Sequence, residues 1–166
     1  MYSGELVEIT ESCLADLRAV FRTAGKTFIY AANGHGAWEA AISNTLSRGE
    51  RVLVAESGRF AHNWGVLAGA MGVEVETLVG GWRHAVDPAA LEARLRADRE
   101  HRIKAVLTVQ VDTASGVVND VPAIRRAMDA AGHPALLMVD TIASLATMPF
   151  EMDAWGVDVA VAACQK

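Results

Sequence analysis

Ala135-Leu136-Leu137-Met138-Val139-Asp140 is apolar until its final position, where a carboxylate stands. Upstream, Ala105-Val106-Leu107-Thr108-Val109-Gln110-Val111 follows the same plan and runs into Asp112. Such short apolar runs read as strands buried on both faces, which is how parallel strands read. Further runs occupy residues 27–31, 52–55, 73–79 and 157–162. Helical stretches separate them, at residues 37–47, 60–71, 88–97 and 121–131. Asp87 and Asp120 cap the last two, Pro88 follows the first cap, and Gly132 closes the final helix. Residues 5–23 carry Leu14, Leu17, Val20 and Phe21 at helical spacing and predict an amphipathic first helix. Strands alternating with helices predict an α/β fold: a three-layer α/β/α arrangement around a mostly parallel sheet.

Composition narrows the function. The 166 residues are 52% hydrophobic and 21% charged, which suits one globular domain. Net charge is −5 and no Lys/Arg stripe occurs, which argues against nucleic acid and anionic membrane as partners. Cys13 and Cys164 are far apart and form no C-x-x-C pair, so free thiols in a cytoplasmic protein are expected. No apolar stretch reaches membrane-spanning length, and the N-terminus lacks the pattern of a secretory signal. The apolar run at 157–162 stops four residues before Lys166, which predicts a chain cut from a longer one.

In a parallel α/β sheet ligands bind beyond the carboxyl ends of the strands. The segments there are Asn33-Gly34-His35-Gly36, Glu56-Ser57-Gly58-Arg59-Phe60, Asp112-Thr113-Ala114-Ser115-Gly116, Asp140-Thr141-Ile142-Ala143-Ser144 and Cys164-Gln165-Lys166. The glycine loop before a helix is either a tight turn or an anion cradle. With Glu56 lying 20 positions beyond Gly36 it also permits a Rossmann-like nucleotide-binding module, although Glu39 stands where that unit wants a small residue. Asp140 is either a helix cap or the anchor of a cationic ring nitrogen. Lys166 is either a solvated lysine or a Schiff-base amine, and only Lys26 and Lys104 accompany it against twelve arginines. The five histidines show no metal-ligand spacing, and no Gly-x-Ser-x-Gly elbow occurs.

These segments, taken in order and spacing with Asn33 through Ala41, Gly58-Arg59-Phe60, Asp112 through Val117, Val139 through Leu145 and Trp155 through Lys166, resemble the class V aminotransferases of pyridoxal-phosphate (PLP) fold type I. The resemblance is to the alanine–glyoxylate, serine–glyoxylate and aspartate–glyoxylate aminotransferases. It implies PLP as cofactor, with Lys166 as the Schiff-base amine and Asp140 as partner of the pyridine nitrogen. Phe60 would stack on the ring and Ile142 would pack its other face. Asn33, Gly34, His35 and Gln165 match the phosphate-side positions, and Thr113 matches a hydroxyl near the ring. It further implies small amino acid and 2-oxo acid substrates, with glyoxylate or pyruvate as acceptor, and a homodimer.

On the same resemblance, residues 1–166 are part of the large cofactor domain, and the small domain with its substrate-carboxylate arginine lies outside them. The fragment alone is then expected to be inactive, or to act as a non-catalytic remnant or dimerisation piece. Three positions depart from the family pattern. Gln110-Val111-Asp112 replaces a His-Asn-Glu or His-Gly-Glu loop, Asn33 replaces Ser or Thr, and Ala163-Cys164 replaces Gly-Ser. A histidine in place of Phe60 would have suited the related lyases and desulfurases.

Overall fold

Apolar runs that cannot face water on either side must pair with one another and be covered twice. A computed structural model describes residues 4–166, so the reading of residues 1–3 as lacking a signal lies outside the described residues. Five strands form one sheet: β1 Arg51–Glu56, β2 Glu74–Val79, β3 Ile103–Val109, β4 Leu136–Asp140 and β5 Val159–Val161. Their order is β2-β1-β3-β4-β5, and every pairing is parallel. The helices are α1 Glu5–Phe21, α2 Gly34–Thr45, α3 Arg59–Ala70, α4 Pro88–Ala97 and α5 Val121–Ala131.

Alternation along each strand divides the core into two layers. Val52, Val54, Ala105, Leu107, Val109 and Met138 face Trp38, Ile42, Trp64 and Ala68 of α2 and α3. Leu53, Ala55, Val106, Leu137 and Val139 face Leu91, Leu95, Ile124 and Met128 of α4 and α5. The expected three-layer α/β/α architecture is therefore present. Burying a Val, Leu or Ile side chain contributes about 1.5–3 kcal/mol, so these two layers carry most of the stabilisation.

The helix caps follow the sequence signals. Asp87 accepts a hydrogen bond from the Ala89 N–H at 2.9 Å, and Asp120 accepts one from Ala123 N–H at 2.8 Å. Gly132 ends α5 with φ 64°, the left-handed conformation that glycine adopts without strain. At the amino ends of the strands, buried His133 sits 3.2 Å from Asp98, whose carboxylate also accepts from Ile103 N–H.

Three expectations need correction. Residues 27–31 are not a strand: Phe28, Ile29 and Tyr30 are 68%, 59% and 54% exposed. A strand exists only where a neighbour accepts and donates its backbone hydrogen bonds, and among the described residues none does so for this segment. The run at 73–79 yields the edge strand β2, not one buried on both faces: Val73 is buried before it, and the side chains of Glu74–Val79 are exposed or half-buried. The last run shortens to the three residues of β5. The first helix forms, but no residue of it is fully buried, and it meets the core at its end, where Phe21 packs edge-on against Phe150 at 6.4 Å. No helix among the described residues is long and apolar enough to cross a membrane.

Substituting Leu53→Ala, fully buried in β1, is expected to lower unfolding free energy by about 2–5 kcal/mol in urea titration. Leu6→Ala, exposed on α1, should change it by less than about 0.5 kcal/mol, which separates core packing from surface apolarity.

Candidate active site

Strand order reverses direction between β1 and β3, and the crevice beyond their carboxyl ends is where such a sheet binds ligands. The loops after β1, β3, β4 and β5 converge there with the start of α2. Gly34, His35, Phe60, Thr113, Asp140, Ile142, Gln165 and Lys166 all line the resulting cleft. Of the residues singled out in the sequence, Asn33 alone is not part of its lining.

Asp140 forms the floor. As the last residue of β4 it is 5% exposed, and a carboxylate so placed must find donors. One oxygen accepts from Trp38 Nε1 at 2.8 Å and the other from the Ile142 N–H at 2.7 Å. Burial pushes the carboxyl up to about 6. The Ile142 and Trp38 hydrogen bonds and the Lys166 charge oppose the rise, while the Asp112 charge adds to it. The Ile142 contact is the turn-type bond offered by an Asp two residues before the donor, and it begins the loop after β4.

Lys166 forms one wall with its neighbours. Its amine donates to the Thr113 hydroxyl and lies 5.4 Å from the centre of the Phe60 ring, within cation–π range. Phe60 is in the first turn of α3 and Thr113 in the loop after β3, so two elements distant in sequence flank one amine.

The start of α2 forms the other end. Gly34 N–H donates to the Gln165 side-chain oxygen at 3.1 Å, so an oxygen acceptor already sits at the helix N-terminus. A Cβ at Gly34 would lie 2.4 Å from Ile142 Cδ1, so a side chain there would push the tip of Ile142 off this turn. Asn33 serves as the N-cap, its side chain accepting from Gly36 N–H at 3.2 Å. His35 stands edge-on to Trp38, their ring centres 4.7 Å apart.

Two contributors escaped the sequence reading. Trp38 follows Gly34 by one helical turn, and that spacing aims it back over the loop, but nothing in its identity announces Asp140 as its acceptor. Asp112 stood in a strand-end segment and in a departure from a loop pattern with no role of its own, yet it is fully buried and binds the start of α3. The Rossmann-like reading fails on the fold. A dinucleotide unit needs the strand before its glycine loop to lie in the sheet, and residues 27–31 lie outside it, with β2 and β3 flanking β1. Glu56 instead pairs with His62 at 3.2 Å. Among the described residues no cluster of three or more His, Cys, Asp or Glu has the form of a metal site.

Fold and site together define a class: a parallel α/β protein whose switch-point cleft sets a lysine amine near a buried aspartate. The family model described as aminotransferase class-V matches residues 2–166, and the chain belongs to that family. Serine–glyoxylate aminotransferase of Methylorubrum extorquens is 44% identical, over 99% of this chain and 41% of its own length. L-aspartate–glyoxylate aminotransferase of Paracoccus denitrificans is also 44% identical, over 87% of this chain and 36% of its own. The crystal structure of alanine–glyoxylate aminotransferase from Nostoc sp. superposes with a TM-score of 0.87 at 28% identity, covering 96% of this chain and 41% of that one. The chain thus spans well under half the length of these relatives.

Because Asp140 titrates higher in the folded state than the ordinary 3.8, the native protein keeps this proton between about pH 4 and 6 while the unfolded chain releases it. The native state therefore loses stability as pH rises through that window, by on the order of 2–3 kcal/mol, and the loss is complete above it. Urea titrations of wild type and Asp140→Asn should show the wild type losing ground to the variant from pH 4 to 6. The difference should be constant above pH 7.

Proposed function

We propose that this chain carries the pyridoxal-phosphate site of an aminotransferase that moves an amino group from a small amino acid to glyoxylate or pyruvate. Serine, alanine and aspartate are the proposed donors. The observation that carries the reading is the convergence of Lys166 and Asp140, residues from different loops, in one switch-point cleft. The donor set fits the cofactor. It holds an amine for the carbonyl carbon, a buried carboxylate for a ring nitrogen and an aromatic face at Phe60. Ile142 supplies an apolar face, and a helix N-terminus stands ready for phosphate. Gln165, whose oxygen already sits on Gly34 N–H, supports the phosphate assignment through Gly34, His35 and the capped turn at Asn33.

When bound, the cofactor supplies an electron sink for the pair released from the substrate's Cα–H bond. Lys166 Nζ would be the amine that holds the cofactor, and the same amine stands where it could accept the Cα proton. Thr113 and the Phe60 ring orient that amine by a hydrogen bond and a cation–π contact. Asp140 would hold the proton of the ring nitrogen, and its hydrogen bonds from Trp38 and Ile142 keep the carboxylate from rotating away. Trp38 closes the floor against water, since it is 1% exposed and stacks on Trp64.

Within this proposal residues 1–166 are part of the cofactor domain, and the small domain and the substrate-carboxylate arginine come from beyond them. Turnover by these residues alone is then expected to be negligible, and the active assembly is a homodimer. A second reading, a non-catalytic remnant or dimerisation piece, is favoured by the exposed Phe28, Ile29 and Tyr30.

Incubation with pyridoxal phosphate, borohydride reduction and peptide mass spectrometry test the site directly. Label is expected mainly on Lys166 and several-fold lower in Asp140→Ala. Equal label on Lys26, Lys104 and Lys166, or none, would leave the remnant reading in place.

A further inference from the structure

We propose that Asp112 is a positioning residue that sets the slot of the Lys166 amine by tying the start of α3 to the loop after β3. The inference rests on the role proposed for Lys166. Asp112 is 0% exposed and lies 52 residues beyond the helix it serves. One carboxylate oxygen accepts from Phe60 N–H at 2.8 Å and from Ala61 N–H at 3.1 Å. The other accepts from Ala114 N–H at 3.0 Å, and the Asp112 main chain closes the same loop through Val117 and Gly116.

The arrangement exceeds what a helix cap needs. Gly58, at the N-cap of α3, has no side chain to offer, so the orphan N–H groups of the first turn are satisfied from across the sheet. Gly58 has φ 172°, extended backbone that any residue adopts, so the glycine is not there for its conformational freedom. A Cβ at that position would lie 2.2 Å from Asp112 Cγ and 2.5 Å from its nearer oxygen. The glycine exists to admit the carboxylate.

The two segments that Asp112 joins bear the two groups that touch the Lys166 amine. Phe60, whose N–H it holds, presents the aromatic face; Thr113, its own neighbour, presents the hydroxyl. A single buried carboxylate thus sets the distance between ring and hydroxyl. A charged acceptor facing three backbone N–H groups is also stronger than a neutral one, so an amide cannot replace it without loss.

The test is competitive acetylation of the chain with limiting acetic anhydride, read per lysine by mass spectrometry. Lys104 serves as reference, because its amine bonds the His101 carbonyl at the opposite end of β3. In Asp112→Asn the Lys166/Lys104 reactivity ratio should rise about threefold or more. Loss of the ring and hydroxyl contacts frees the amine from its slot and opens it to the reagent. Gly58→Ala, which displaces the carboxylate from the other side, should shift the ratio in the same direction, and it decides the matter if Asp112→Asn does not fold. Thr113→Val and Phe60→Leu should each give part of the rise. Folded variants with a ratio equal to wild type would overturn the positioning role. Acetylation involves no cofactor, so that result is separable from failure of the borohydride labelling, which bears on the cofactor reading alone.

Discussion

Strands β1, β3 and β4 are buried on both faces, and that constraint decides where polar groups can stand. Along the strands an ionised side chain would cost several kcal/mol, so polarity is pushed to the carboxyl ends, where loops and helix starts supply donors. Asp140 takes its hydrogen bonds from Trp38 and Ile142, and Asp112 takes three from backbone N–H groups. Asn119 completes the set by bonding Ser57 Oγ, the Val109 carbonyl and Val86 N–H, which stitches the β1 and β3 ends together. Without these partners the strand ends would have to retreat towards water and the two-sided packing would open.

The same constraint makes the site stiff. Buried Asp112, Asp140 and Gln110 anchor the start of α3 and the loops after β3 and β4, while Gln165 and Lys166 are exposed. Gln110, directly after β3, illustrates the anchoring. Its side chain bonds the Pro149 carbonyl and accepts from Ser144, so it braces the loop after β4 and stays out of the cleft. The electrostatics follow from the geometry. Burial, with a smaller contribution from the Asp112 charge, raises the Asp140 carboxyl to about 6, and a cation placed against it is the partner that would favour its charged form.

Glycine marks the places where this packing is tightest, for steric and not conformational reasons. Gly34 admits Ile142, and Gly58 admits Asp112. Neither requirement can be read from a turn type, since neither residue takes the left-handed φ that favours glycine; each exists because a side chain from a distant loop needs the space.

Local patterns in the sequence determined much of this protein. Runs of Val, Leu and Ala with no alternation called for parallel strands covered twice, and Asp87, Pro88, Asp120 and Gly132 bounded α4 and α5 through interactions within a few residues. Those signals are local because a cap or a strand period is completed by neighbours in the chain. Strand ends pointed to the cleft, and the order of its segments pointed to the family. What only the tertiary structure decided is which partners meet across long separations. Trp38 finds Asp140 over 102 residues, and Lys166 finds Thr113 over 53. Residues 27–31, as rich in strand-forming side chains as any run, stay out of the sheet. Strand identity belongs to a pair of segments, and no neighbour among the described residues accepts their backbone.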